Sequence, residues 1–266
     1  MQIRVVRYII GLLTLTVSTP FSFSQASQGT AERDTRALSV AEHCLSVAGG
    51  STSIMAIKDF MASGKITYYW TSNPVEGEMK IRAIGTSDFR VDAKLPDGNR
   101  AWTVVSGNGA IRESDGTTRV IPPENSHNLG ALSFPILKLF AELHDPSTAF
   151  VYKGTTDVDG HEAFDIQMYK SAPSKAVHDA MRRLTAYELF IDKKTLQIVR
   201  LRDSIHPTGR ATQDITHEVE FSQYRATNGV MVPFVVSERV NGQLMWTMLL
   251  DEIVFGVGLS DIDFQI

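Results

Sequence analysis

Two hydrophobic periods divide this chain. Between Asp34 and Gly64 apolar residues recur every three or four positions, as Leu38, Ala41, Leu45 and Ala48, then Ile54, Ile57, Phe60 and Met61. That spacing predicts two short helices. Asp34 stands where a carboxylate can accept the first free amides, and Gly49-Gly50 stops the first helix. Ser51 or Ser53 caps the second, which Gly64 ends. From Lys65 the period is two. Ile66, Tyr68 and Trp70 alternate with polar neighbours, as do Met79, Ile81 and Ala83, and Phe89, Val91 and Ala93. Further on, Phe164, Ile166 and Met168, and then Val219 and Phe221, repeat the pattern. Each run predicts a strand with one buried face.

Turn chemistry joins these runs. Asp97-Gly98, Asn108-Gly109, Asp115-Gly116, Asp159-Gly160, Asn228-Gly229 and Asn241-Gly242 separate them. Such pairs suit tight hairpins, whose central residues need positive φ. Ile191 to Leu196 reads as a longer hairpin loop. Successive hairpins build an antiparallel meander of about ten strands in one sheet. One helix interrupts it, Ser133 to Leu143, with Ser133 as cap and Pro135 in its first turn. Its only charges, Lys138 and Glu142, are four apart on one face, so the rest of its circumference must be covered. A polar helical stretch, Ala176 to Leu184, caps a loop.

The start of the chain reads as an address. Arg4 and Arg7 precede the apolar run Tyr8 to Val17, then Pro20 and the small residues Ser22 and Ser24. That order predicts a secretory signal peptide over residues 1–24. The run is too short for a normal membrane span, which takes about 20 residues. No cysteine directly follows it, so a lipid-anchored lipoprotein start is not expected. Residues 25–34 are expected to be disordered, and residues 35–266 to form a single domain. Export then places the mature chain in an extracytoplasmic space, the periplasm in a two-membrane bacterium, with no stable span. Losing two arginines takes the net charge from −4 to −6.

Composition narrows the function classes. With 43% apolar and 21% charged residues, the chain is neither a disordered tail nor a polytopic membrane protein. No basic run suggests nucleic acid. The single cysteine, Cys44, excludes an internal disulfide framework, and beside Val40 and Val47 it reads as a small core residue. Seven histidines show no HExxH or HxH spacing and default to surface or capping roles. Asp157 to Gly160 lacks the later ligands of a calcium loop. Ser106 to Gly109 opens no helix, and no Gly-x-Ser-x-Gly elbow exists. The reading is therefore no enzyme, no catalytic residue, no metal and no cofactor.

Apolar supply remains. A sheet this large with three apolar helices either closes into a barrel filled by its own side chains or curls into an incomplete barrel roofed by helices around a cavity. Composition leaves both open. Candidate lining residues are Phe134, Leu137, Phe140, Trp102, Phe164, Met168, Trp246 and Met248. For each, plain core packing is the competing role.

A family resemblance favours the second form. Gly77 to Arg82, Asp88 to Asp92, Pro96 and Val104 to Asn108 resemble the early strands of the LolA/LolB-like periplasmic lipoprotein-sorting proteins, the lipoprotein carriers. Tyr224 to Phe234, then Trp246 to Phe255 and the closing Phe264, resemble the end of that family. Residues 154–184 form a longer segment than the carrier's. The resemblance implies a mainly β fold with a few helices: a single curled antiparallel sheet, an incomplete β-barrel closed by short α-helices. It implies reversible capture of a lipid or of lipoprotein acyl chains, with the helix 134–143 as a lid. Two other functions stay open: an envelope sensor or adaptor binding a protein partner, and a hydrolase.

Overall fold

The structure is a computed structural model and describes residues 31–266 except 71, 127, 128, 130–133, 208, 209 and 211. The expected signal peptide, most of the segment 25–34 and the expected cap Ser133 lie outside the described residues.

Two helices open the described chain, α1 (Thr35–Val47) and α2 (Gly50–Ala56). Asp34 caps α1 as expected, its carboxylate accepting from the amides of Arg36 and Ala37 at 2.7 and 3.0 Å. Six strands follow: β1 (Asp59–Tyr68), β2 (Val75–Ile84), β3 (Asp88–Leu95), β4 (Gly98–Val105), β5 (Asn108–Arg112) and β6 (Thr118–Ile121). A single helical turn, α3 (Pro123–Ser126), and the apolar helix α4 (Pro135–His144) connect these to β7 (Thr148–Val158) and β8 (His161–Lys170). Beyond α5 (Lys175–Thr185) come β9 (Tyr187–Asp192), β10 (Ile198–Ile205) and β11 (Ile215–Ser222). The short pair β12 (Arg225–Thr227) and β13 (Val230–Val232) precedes β14 (Val235–Val240) and β15 (Gln243–Phe255).

Among the described residues thirteen strands form one antiparallel sheet in the order β6-β5-β4-β3-β2-β1-β15-β14-β11-β10-β9-β8-β7. The N-terminal meander runs outward from β1 and the C-terminal one runs inward to β15. Pairing of β1 with β15 joins them. The sheet is open, with β6 and β7 as its edges, and α1, α2 and α4 pack on its concave face. Inward residues follow the alternation: Met79, Ile81 and Ala83 on β2, Phe89, Val91 and Ala93 on β3, and Val219 and Phe221 on β11 are all buried.

Four local expectations shift. The second helix ends at Ala56, and Phe60 and Met61 belong to β1. The inward row there is Phe60, Ala62, Gly64 and Ile66, so Gly64 is a strand residue and not a helix stop. The turn expected at Asn108-Gly109 sits at Ser106-Gly107, both with positive φ, because Gly109 lies in β5 with no room for a Cβ beside Ile121 and Ser126. The sheet holds thirteen strands among the described residues where about ten were expected, and β6 is among those too short to show a period. Ala31–Asp34, the described end of the segment expected to be disordered, is pinned. Arg33 donates to the carbonyls of Leu143, Asp145 and Thr148, capping the end of α4, and bridges Phe150 in parallel along the β7 edge.

The helix α4 is covered as its composition demands. Ile136, Leu137 and Leu139 are buried, and so is Glu142, which pairs with Lys138 at 3.3 Å and with Lys170. On the convex side a 3-10 turn, Asp261–Phe264, buries Phe264 against β3 and β4, where the Thr103 hydroxyl donates to the Phe264 carbonyl at 3.0 Å.

The seam between the meanders carries a bulge at Ser63/Gly64. A Cβ on Gly64 would lie 2.1 Å from the Leu249 carbonyl oxygen and 2.9 Å from Leu250 Cα. Backbone cannot yield as a side-chain tip can, so Gly64→Ala should destabilise the protein by about 1–3 kcal/mol. Urea unfolding should show this as a lower midpoint at unchanged slope.

Candidate functional site

The eight candidate lining residues separate into groups. Phe134, Leu137, Met168 and Met248 are buried in the main core under α1, α2 and α4. Phe134 packs on Phe60 and Phe255, at ring-centroid distances of 5.3 and 5.8 Å, near the first residues of β1. Phe140 is half-buried against His144, and Phe164 is half-buried against Tyr152 on the β7–β8 side. Trp102 and Trp246 meet at 6.1 Å near the other end of β1, where Tyr68 pairs with Trp246. Eight strand residues, about 26 Å, separate Phe60 from Tyr68. The eight candidates therefore do not surround one chamber.

An open cavity of about 180 Å³ lies at the tryptophan end. Trp102, Trp246, Ile111, Ile121 and Met245 supply its apolar wall. The position follows from register: Val91, Trp102 and Ile111 are cross-strand partners on β3, β4 and β5, and the curl carries that row toward β15 and β14. Tyr68 and Trp70 stack at 4.1 Å, and the Arg100 guanidinium lies 4.4 Å from the Trp70 ring centroid. Arg100 is held by Asp97 at 3.2 Å, and Arg119 is held by Glu113.

A second cavity, of about 370 Å³, shares Ile111, Arg119, Ile121, Leu129 and Glu238 with the first. It runs between the β5–β6 edge and the strands β10, β11 and β14. One clasp holds these parts of the curl together. The Asn125 side chain on α3 donates to the His206 carbonyl and accepts from the His206 amide, both at 2.7 Å.

Its floor is polar, which the alternation did not lead us to expect. Asp203, His217 and Glu238 occupy inward positions on β10, β11 and β14. His217 Nδ1 bonds Asp203 at 2.5 Å and Nε2 bonds Glu238 at 3.0 Å. The surface role expected of the histidines fails here and at His206, whose side chain is wholly buried. Each member of the cluster shares the parity of an apolar neighbour: Asp203 with Leu201, His217 with Val219, Glu238 with Val236. That polar break in an inward row was the available signal. Burial alone would pull His217 down, but hydrogen bonds to the two carboxylates and their charges push it up to about 10.

Other chemistry is sparse. Burial raises the Cys44 thiol to about 12, so at neutral pH it is a protonated core residue. No group of three His, Cys, Asp or Glu with metal-ligand geometry occurs among the described residues. No helix among them is long and apolar enough to cross a membrane.

The ion cluster makes stability pH-dependent. In the unfolded chain His217 loses its proton near 6.5. In the folded chain it keeps the proton to about pH 10. Its contribution is therefore whole below pH 6.5 and is lost as pH rises through 10. Unfolding free energy measured in urea should fall across that window. His217→Leu, which leaves two carboxylates facing each other, should cost about 3–5 kcal/mol at pH 7 and flatten the slope.

Comparison with known proteins identifies the architecture. No family model matches the chain, and no curated protein matches it. Solved structures do. A DUF1329 family protein from Desulfovibrio piger aligns over 88% of this chain and 98% of its own, at 11% identity and a TM-score of 0.53. A LolA superfamily protein from Nitrosomonas europaea aligns over 85% of this chain and 97% of its own, at 7% identity and a TM-score of 0.51. At such identities the likeness lies in the backbone path, and that path is a LolA-like fold: one large, open, curled antiparallel sheet with a few helices on its concave face.

Proposed function

We propose that this chain is a non-enzymatic, exported carrier that takes an acyl chain of a lipid or lipoprotein into the cavity beneath Trp102 and Trp246. The observation that carries this reading is the cavity itself, an open aromatic-walled space at one end of a concave face whose other end is packed. Its size suits hydrocarbon: an apolar cavity of about 150 Å³ stays dry and accepts a benzene-sized guest. About six methylenes buried there contribute roughly 5 kcal/mol before the cost of ordering the chain. Binding of that strength is reversible, as a carrier requires. The fold shared with a LolA superfamily protein agrees with this reading. Helix α4, expected as a lid whose own side chains fill the empty cavity, packs those side chains at the Phe60 end of the core and not against Trp102 and Trp246.

Native mass spectrometry of protein purified from envelope under mild conditions should find lipid at one per chain. Titration with a dodecyl-chain probe should give a saturable blue shift of tryptophan emission. Trp102→Ala should weaken that binding by about 30-fold or more, the loss typical of a buried aromatic anchor. A bare chain mass under all conditions, with emission indifferent to the probe, overturns the proposal.

A further inference from the structure

An open groove of about 700 Å³ lies on the convex side of the sheet, over β1 to β5. Register builds it. Ser63, Lys80, Asp92, Ala101 and Arg112 are successive cross-strand partners, so they share the outward face. Ala101 is the smallest of them and is buried. Asp92 and Arg112 flank it across the strands, and Arg90 and Lys94 stand diagonally on β3. One small side chain among longer ones leaves a depression floored by Ala101.

Charge in the groove is mixed but sorted. Arg82 and Arg90 are direct cross-strand partners, and like charges so placed repel. They share one carboxylate, Asp92, at 2.5 and 2.6 Å, and Arg90 also donates to the Gln265 carbonyl. One carboxylate between two guanidinium groups leaves a positive charge. Lys80, Lys94 and Arg112 form no ion pair among the described residues. Arg100, also on the wall, is matched by Asp97 and turned onto Trp70. The remaining carboxylates stand away from Ala101: Glu78 opposite Lys94, Asp251 on β15, and Glu252 opposite Ser63. Around Ala101 itself are the cations Arg90, Lys94 and Arg112 and the carboxylate Asp92, which two arginines already hold.

An anion set over Ala101 therefore meets free donors. Arg112 offers a planar fork that fits phosphate, and Lys94 a mobile ammonium. Asn99, two residues from Ala101 on the same face, has an amide that can donate to or accept from a hydroxyl. Ser63 can do the same further along the groove.

We infer that this groove binds a hydroxyl-bearing phosphate ester, its phosphate over Ala101 between Lys94 and Arg112 and its hydroxyls toward Asn99 and Ser63. The ester is a free sugar phosphate or the head of a phospholipid. The site stands whether or not the tryptophan cavity takes a chain.

Calorimetric titration of the full chain with glucose 6-phosphate tests it, against glucose, glucuronate and inorganic phosphate. The ester should bind more tightly than each of the three by about tenfold or more. Lys94→Gln and Arg112→Gln should each weaken it by about tenfold while leaving Tm unchanged. Both side chains project from the outer face, so neither change touches the core. Glu78→Gln, which removes the carboxylate opposite Lys94, should tighten binding, a response that damage to the fold does not imitate. Sedimentation with phosphatidylglycerol vesicles, with phosphatidylcholine as the reference, separates the two sources. Selective capture that both Gln variants of the cations abolish assigns a lipid head, and ester binding without capture assigns a free ester. Absence of both ester binding at millimolar concentration and selective capture overturns the inference. So does glucuronate or inorganic phosphate binding as tightly as the ester, or binding indifferent to Lys94→Gln and Arg112→Gln.

Discussion

Pairing of β1 with β15 sets Asp59–Tyr68 against Gln243–Phe255, strands near opposite ends of the described chain. Neither meander is a sheet of the observed width without that seam, and neither curls far enough alone to face its own far edge. Contacts of such sequence separation must overcome the closure entropy of nearly the whole chain, so local hairpins cannot substitute for them. The seam is specified tightly. It has one register, one bulge and one glycine, Gly64, where the Leu249 carbonyl leaves no space for a side chain.

Once the seam exists, the middle of the chain has to travel from the β6 edge to the β7 edge. A flat sheet of thirteen strands is about 58 Å across. Between Ile121 and Thr148 lies α4, which sits over the Phe60 end of the face. There α4 meets α1 and α2, and the apolar surface is consumed by packing. At the Tyr68 end Trp102, Trp246 and Ile111 keep an open side. Filled half and open half therefore follow from one connectivity.

Much of the framework was legible because period-two alternation and Asn-Gly or Asp-Gly turns are local signals. Asp159-Gly160, Asn228-Gly229 and Asn241-Gly242 all take the positive φ expected of them. Errors arose where two local signals coincide. Ile54, Ile57 and Phe60 fit a helix, while the strand that begins at Asp59 hides its parity behind the small residues Ala62 and Gly64. Ser106-Gly107 and Asn108-Gly109 are both good turns, and only the non-local crowding of Gly109 against Ile121 decides between them. The site was less legible for the same reason. Trp102 and Trp246 could be singled out as inward aromatics, but their meeting depends on four strand pairings between β4 and β15. Asp203, His217 and Glu238 adjoin because β11 pairs past β12 and β13 with β14.

Why a charged cluster should persist on the inner face is a question of competing costs. Three well-packed apolar side chains at Asp203, His217 and Glu238 would often be as stable as the ion cluster or more so. They would also favour collapse of the β5–β6 edge onto β10 and β11, since apolar walls facing each other across a gap gain by closing it. Charged groups held by one another resist that collapse, because burying them further against hydrocarbon adds desolvation without adding partners. The Asn125 clasp at His206 fixes the spacing from the outside, through two hydrogen bonds from its side chain to the His206 backbone. Cluster and clasp together keep the tryptophan end of the curl open while its other end is packed, and a groove that stays open when empty spares its guest the cost of separating two apolar walls.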